Sequence, residues 1–107
     1  MIWTIQMSDE VEKWYLNLST KETNKVDEVL NLLETRGNKL RMPHSRSLGD
    51  GLFELRFDID KTAWRITYAF EPKQHVITLT KFRKQRNNEK GEVRRARKAL
   101  FERRNKG

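Results

Sequence analysis

The chain has 107 residues and a formal net charge of +8, the length of one domain with one core rather than of an enzyme with separate cofactor and substrate lobes. It holds no cysteine and only two histidines, His44 and His75, which excludes disulfides, thiolate nucleophiles and cysteine-ligated zinc and leaves no metal-ligand motif. No apolar run approaches the roughly 20 residues of a membrane span, and the opening Met1-Ile2-Trp3-Thr4-Ile5 lacks the basic stretch of a secretory signal, so a cytoplasmic protein with no membrane partner and no cofactor is expected.

In chain order, Met1 to Met7 alternates Trp3, Ile5 and Met7 with Thr4 and Gln6, the period-two pattern of a half-buried strand. Ser8 then offers a helix cap with Asp9 and Glu10 in the first turn, and Val11, Trp14, Tyr15 and Leu18 recur at helical spacing. Ser19 with Glu22 three residues on is a capping-box signature, and Val26, Val29, Leu30 and Leu33 mark a second helix that Gly37 should stop. Both apolar stripes read as core.

Asn38 to Gly51, with Pro43, Gly49 and Asp50, reads as a surface loop. Three strand-like runs follow at 52–57, 63–70 and 76–80, joined by short polar connectors that suit antiparallel hairpins rather than crossovers. From Glu89 onward Val93, Ala96, Leu100 and Phe101 form a narrow apolar stripe on a helix crowded with Arg94, Arg95, Arg97, Lys98, Arg103 and Arg104. The order β-α-α-β-β-β-α predicts a small single-domain α+β fold over residues 1–107, an antiparallel sheet with helices packed on one face.

The charge is concentrated. Residues 81–107 hold 12 Lys and Arg against 3 Asp and Glu, while residues 1–80 are nearly balanced. Such asymmetry is the footprint of a partner with dense negative charge, nucleic acid above all.

Alternation divides each strand into two faces. If the helices cover the side of Phe53, Leu55, Phe57, Trp64, Ile66 and Tyr68, then Glu54, Arg56, Arg65, Thr67, Thr78 and Thr80 should line an open polar surface. Beside it stands Lys81-Phe82-Arg83-Lys84-Gln85-Arg86, four cations in six residues. Two strand arginines and this loop would make a basic concavity whose guanidinium forks suit phosphate oxygens. Glu54 reads as a structural partner of Arg56 or Arg65, and His44 and His75 as surface residues.

The run Gly51-Leu52-Phe53-Glu54-Leu55-Arg56-Phe57, the segment Trp64-Arg65-Ile66-Thr67-Tyr68, and Leu79-Thr80-Lys81-Phe82-Arg83-Lys84 before a basic helix resemble the RelE/ParE toxin superfamily, in particular its phage Gp49-like, HigB-type branch. That resemblance implies the toxin of a type II toxin–antitoxin pair, a ribosome-dependent endoribonuclease that cuts mRNA in the ribosomal A site by metal-independent attack of a ribose 2′-OH. It implies catalytic roles for Arg65, on the scissile phosphate, and for Arg83 and Lys84 after the last strand. Arg56, Lys81, Arg86, Arg94 and Arg95 become RNA- or phosphate-binding candidates, with Lys81 or Lys84 as a base whose pKa neighbouring cations would lower. A tyrosine follows the basic pair in RelE; Arg86-Asn87-Asn88-Glu89 stands here. The implied partners are the ribosome, mRNA and a cognate antitoxin of helix-turn-helix type. The alternatives are a ParE-type inhibitor of DNA gyrase and a non-enzymatic module that binds nucleic acid or a partner.

Overall fold

The computed structural model describes residues 2–106; Met1, at the head of the expected first strand, lies outside them. A strand β1 (Thr4–Gln6) leads into two helices, α1 (Asp9–Leu16) and α2 (Thr20–Arg36). Four further strands follow, β2 (Ser45–Gly49), β3 (Leu52–Ile59), β4 (Thr62–Glu71) and β5 (His75–Arg83), and then a helix α3 (Glu89–Arg104). No helix among the described residues is long and apolar enough to cross a membrane.

Both helix starts form as their caps dictate. The Ser8 hydroxyl accepts the Val11 N–H, and it also donates to the Leu79 carbonyl at 2.9 Å, so the same residue that starts α1 docks it on β5. Ser19 and Glu22 complete the reciprocal capping box at 2.8 and 3.2 Å. At the far end of α2, Gly37 has φ +51°, and a Cβ there would fall 2.0 Å from the Trp3 indole nitrogen. Only glycine meets both the left-handed backbone and the close approach.

The strands form one five-stranded sheet in the order β1-β5-β4-β3-β2. The meander of β3, β4 and β5 is antiparallel as expected, but β1 joins β5 in parallel, so the sheet is mixed. The loop expected over residues 38–51 contains the edge strand β2, antiparallel to β3. Its sequence Ser45-Arg46-Ser47-Leu48-Gly49 carries no apolar alternation because its buried position is a serine: Ser45 is buried, with its hydroxyl 2.5 Å from that of Tyr68, while Arg46 and Ser47 are exposed.

The helices do not share one face. Val11, Val26, Val29, Leu30 and Leu33 of α1 and α2 pack on Leu55, Phe57, Ile66, Tyr68 and Val76. Ala96 and Leu100 of α3 pack on Leu52, Ala69, Ile77 and Leu79, the alternate positions. Each large apolar side chain buried in this way contributes roughly 1.5–3 kcal/mol. The expected open polar surface is therefore closed: Glu54, Arg65, Thr67, Thr78 and Thr80 are all buried. Thr78 lies on the α1 side, where it accepts the Ser8 N–H. Thr67 and Thr80 satisfy each other at 2.6 Å, and the Thr67 hydroxyl also accepts the Thr80 N–H. Three layers result, with β5 covered on both faces.

Candidate active site

In the middle of the sheet's last hairpins, the antiparallel register sets Arg56 of β3 directly opposite Arg65 of β4. Like charges in facing positions repel, so the pair needs a counter-charge. Glu54, two residues before Arg56 and on the same face, supplies it. Its Oε2 lies 3.8 Å from Arg65 Nε and 3.8 Å from Arg56 Nη1, with the glutamate side chain fully buried and those of Arg65 and Arg56 6% and 23% exposed.

These contacts are ion pairs without hydrogen bonds. Both Glu54 oxygens and Arg65 Nε are buried and have no hydrogen-bond partner. Arg65 makes one polar contact along its own strand, Nη1 to the Trp64 carbonyl at 2.9 Å. Burial lifts the Glu54 carboxyl above the ordinary carboxylate range, against the pull of Arg65, and the charge of Glu89 adds to the rise. Burial, and then the like charge of Arg56, lowers Arg65, although a guanidinium remains protonated.

Arg56 and Arg65 open onto a cleft of about 350 Å³ between α2 and the segment before β2, lined also by Lys25, Pro43, His44 and Asp58. His44 was expected at the surface; it is half-buried on this cleft, and its carbonyl accepts the Arg56 N–H at 2.9 Å. Nothing in the sequence marked it, because its proximity depends on the pairing of β2 with β3. Among the described residues no group of three or more His, Cys, Asp or Glu side chains is placed to hold a metal ion.

The other candidates lie apart from the cleft lining. Arg83 ends β5 and Lys84 follows it, both exposed, beside Arg65 along the sheet, since Phe82 pairs with Arg65 and the Lys84 N–H donates to the Ala63 carbonyl at 2.8 Å. The Asn88 side chain pins this loop, donating to the Arg83 carbonyl and accepting from the Gln85 N–H. Arg86 and Arg94 are exposed, and Arg94 lines a shallow groove between α3 and β2 with Arg46 and Glu89. Arg95 is engaged elsewhere. Its guanidinium grips Glu10 through two bonds at 2.5 and 2.9 Å and reaches the Lys81 carbonyl, while the Lys81 N–H donates to the same Glu10 carboxylate. Arg97 donates to the carbonyls of Leu48 and Gly49, and Arg103 pairs with Glu71. Much of the basic helix is thus tied to the body of the protein.

The sequence pattern of the family described as phage derived protein Gp49-like matches residues 13–105. The chain belongs to the Gp49-like family. No curated protein matches it significantly. Among solved structures, the toxin–antitoxin complex RelBE2 of Mycobacterium tuberculosis is similar at 15% identity and a TM-score of 0.58, over 78% of this chain and 100% of that one. A mutant of the E. coli toxin RelE in the free state is similar at 11% identity and a TM-score of 0.62, over 94% of this Gp49-like chain and 97% of its own. At these identities the likeness is one of fold: the Gp49-like chain has the RelE architecture.

Proposed function

We propose that this Gp49-like protein is the toxin of a type II toxin–antitoxin pair and acts as a ribosome-dependent endoribonuclease that cuts mRNA. The observation that carries the reading is the cleft in which Arg56 and Arg65 face each other, charged, with N–H groups not taken up by hydrogen bonds to an acid. Strand cleavage by the neighbouring 2′-oxygen needs no nucleophile beyond the RNA itself. The 2′-oxygen forms a bond to phosphorus, its proton passes to a base, the bond to the 5′-oxygen breaks, and that oxygen takes a proton from an acid. Negative charge grows on the phosphoryl oxygens along the way, and preorganised guanidiniums stabilise it.

In this reading Arg65, held by the strand on both sides, contacts the phosphoryl oxygens, and Arg56 flanks it. His44 on the cleft wall takes one of the two proton-transfer roles through its imidazole. Arg83 and Lys84, on the pinned loop beyond β5, clamp the phosphate or serve as the acid. A cognate antitoxin holds the protein inactive, and an acidic segment laid over these cations would compete directly with phosphate.

The test is cell-free translation with and without the protein, followed by primer extension on the message. New 5′ ends in register with codons, appearing only while ribosomes translate, are expected. Intact message together with blocked supercoiling by purified gyrase would replace this reading with a non-enzymatic one.

A further inference from the structure

Glu54 is more costly to the fold than its charge balance requires. A carboxylate buried with no hydrogen bond forfeits its hydration and recovers only part of that loss from cations at 3.8 Å. Where this protein uses an acid for structure, it does so differently: Glu10 accepts two hydrogen bonds from Arg95 and one from the Lys81 N–H. Apolar residues in place of the whole cluster, Glu54 and its two arginines together, would stabilise the sheet at least as well as an unsatisfied carboxylate among them. Loose pairing does have one property that tight pairing lacks. A carboxylate hydrogen-bonded into a guanidinium fork occupies the positions a phosphate would take, whereas one at 3.8 Å anchors the charge and leaves the donors open.

We infer that Glu54 is the positioning residue of the cleft, holding Arg56 and Arg65 side by side from behind so that their N–H groups face an incoming phosphate. The inference rests on the proposed cleavage reading. The charged groups acting on Glu54 come from four elements: Arg46 of β2, Arg56 of β3, Arg65 of β4 and Glu89 of α3. Three cations against one further acid keep the carboxylate in place as an anion among guanidiniums. The raised carboxyl described above means that acid detaches this anchor before it protonates ordinary surface carboxylates.

The test uses the full chain and follows the NMR signals of the arginine Nε–H groups, with sulfate as the probe. In the wild type the Arg65 Nε–H is expected to exchange slowly with water and to shift when sulfate is added. In Glu54→Gln its exchange should accelerate about tenfold or more while sulfate still binds, since one negative charge has left the cleft, and cleavage should lose about tenfold in kcat with KM little changed. A merely structural glutamate would lower the melting temperature without moving that signal or splitting kcat from KM. If Glu54→Gln does not fold, Glu54→Asp, which keeps the charge but withdraws it by one methylene, should show the same displacement. Acid titration of the wild type should also shift the Arg65 signal as Glu54 takes up its proton. An Arg65 signal that is identical in the folded variant, or that ignores the carboxyl titration of the wild type, overturns the inference. Wild-type protein that cleaves no message removes the functional reading alone, because the signals and the sulfate titration need no ribosome.

Discussion

Two clusters of arginine and glutamate are built on opposite principles. Around Glu10, Arg95 and the backbone of Lys81 make close hydrogen bonds at a partly exposed site and clamp α3 and α1 to the end of β5. Around Glu54, Arg56 and Arg65 stand at 3.8 Å in a buried site with polar atoms unsatisfied. A satisfied ion pair has no binding capacity left, and an unsatisfied one is poised for a ligand. Charge density along the sequence does not tell these roles apart, because the basic helix carries arginines tied to the body of the protein, Arg95, Arg97 and Arg103, beside exposed ones such as Arg94.

Substitutions at the two clusters should separate these roles. The largest effect is expected from Arg65→Lys, which keeps the charge but not the planar fork: cleavage should fall about 100-fold with little change in melting temperature. Arg65→Ala should instead cost roughly 3 kcal/mol in urea unfolding, because Glu54 loses the more deeply buried of its two cations. Next, Thr67→Val should cost about 1–2 kcal/mol, since the buried Thr80 N–H and hydroxyl lose their partner. At the outer cluster, Glu10→Gln should cost about 1 kcal/mol or less, given its partial exposure, and leave cleavage per folded molecule unchanged.

The clusters should also respond to acid with opposite signs. Burial raises Glu10, but hydrogen bonds from Arg95 and the Lys81 N–H outweigh it and hold the carboxyl below the ordinary range. Arg103 does the same for Glu71. A lowered folded pKa contributes stability above the unfolded value that is lost as pH falls through the folded one. Glu54 is raised, so folding favours its protonated form, and stability should rise slightly as pH falls from its folded pKa towards the ordinary carboxylate value. Unfolding free energy measured against pH should thus show a small gain before the acid loss; Glu54→Gln should abolish the gain and Glu10→Gln should reduce the loss.

Local signals in the sequence made much of this architecture legible. The Ser8 and Ser19 caps, the stripe Val26, Val29, Leu30 and Leu33, and the short polar turns between the last three strands are all properties of neighbouring residues, and the structure keeps them. Features set by distant pairing were not legible. The parallel contact of β1 with β5 joins residues some 70 positions apart, and Ser45–Gly49 becomes a strand only because β3 offers it an edge. Period-two alternation suggested one wet face, yet Thr67, Thr78 and Thr80 are buried polar positions satisfied by hydrogen bonds that no pattern of hydropathy reveals. At the site, Arg56 and Arg65 could be placed on one face from their spacing, whereas their burial, the depth of Glu54 and the approach of His44 are products of packing.

The division between a binding pair and a clamping pair is tested most directly by comparing Arg65→Lys and Arg95→Lys side by side, at equal concentrations of folded protein, in cell-free translation with primer extension and in thermal unfolding. Loss of message cleavage in Arg65→Lys with its melting temperature held, alongside retained cleavage and a lowered melting temperature in Arg95→Lys, is the predicted result. Cleavage that survives in Arg65→Lys and disappears in a stable Arg95→Lys would contradict it and move the phosphate site to the basic helix.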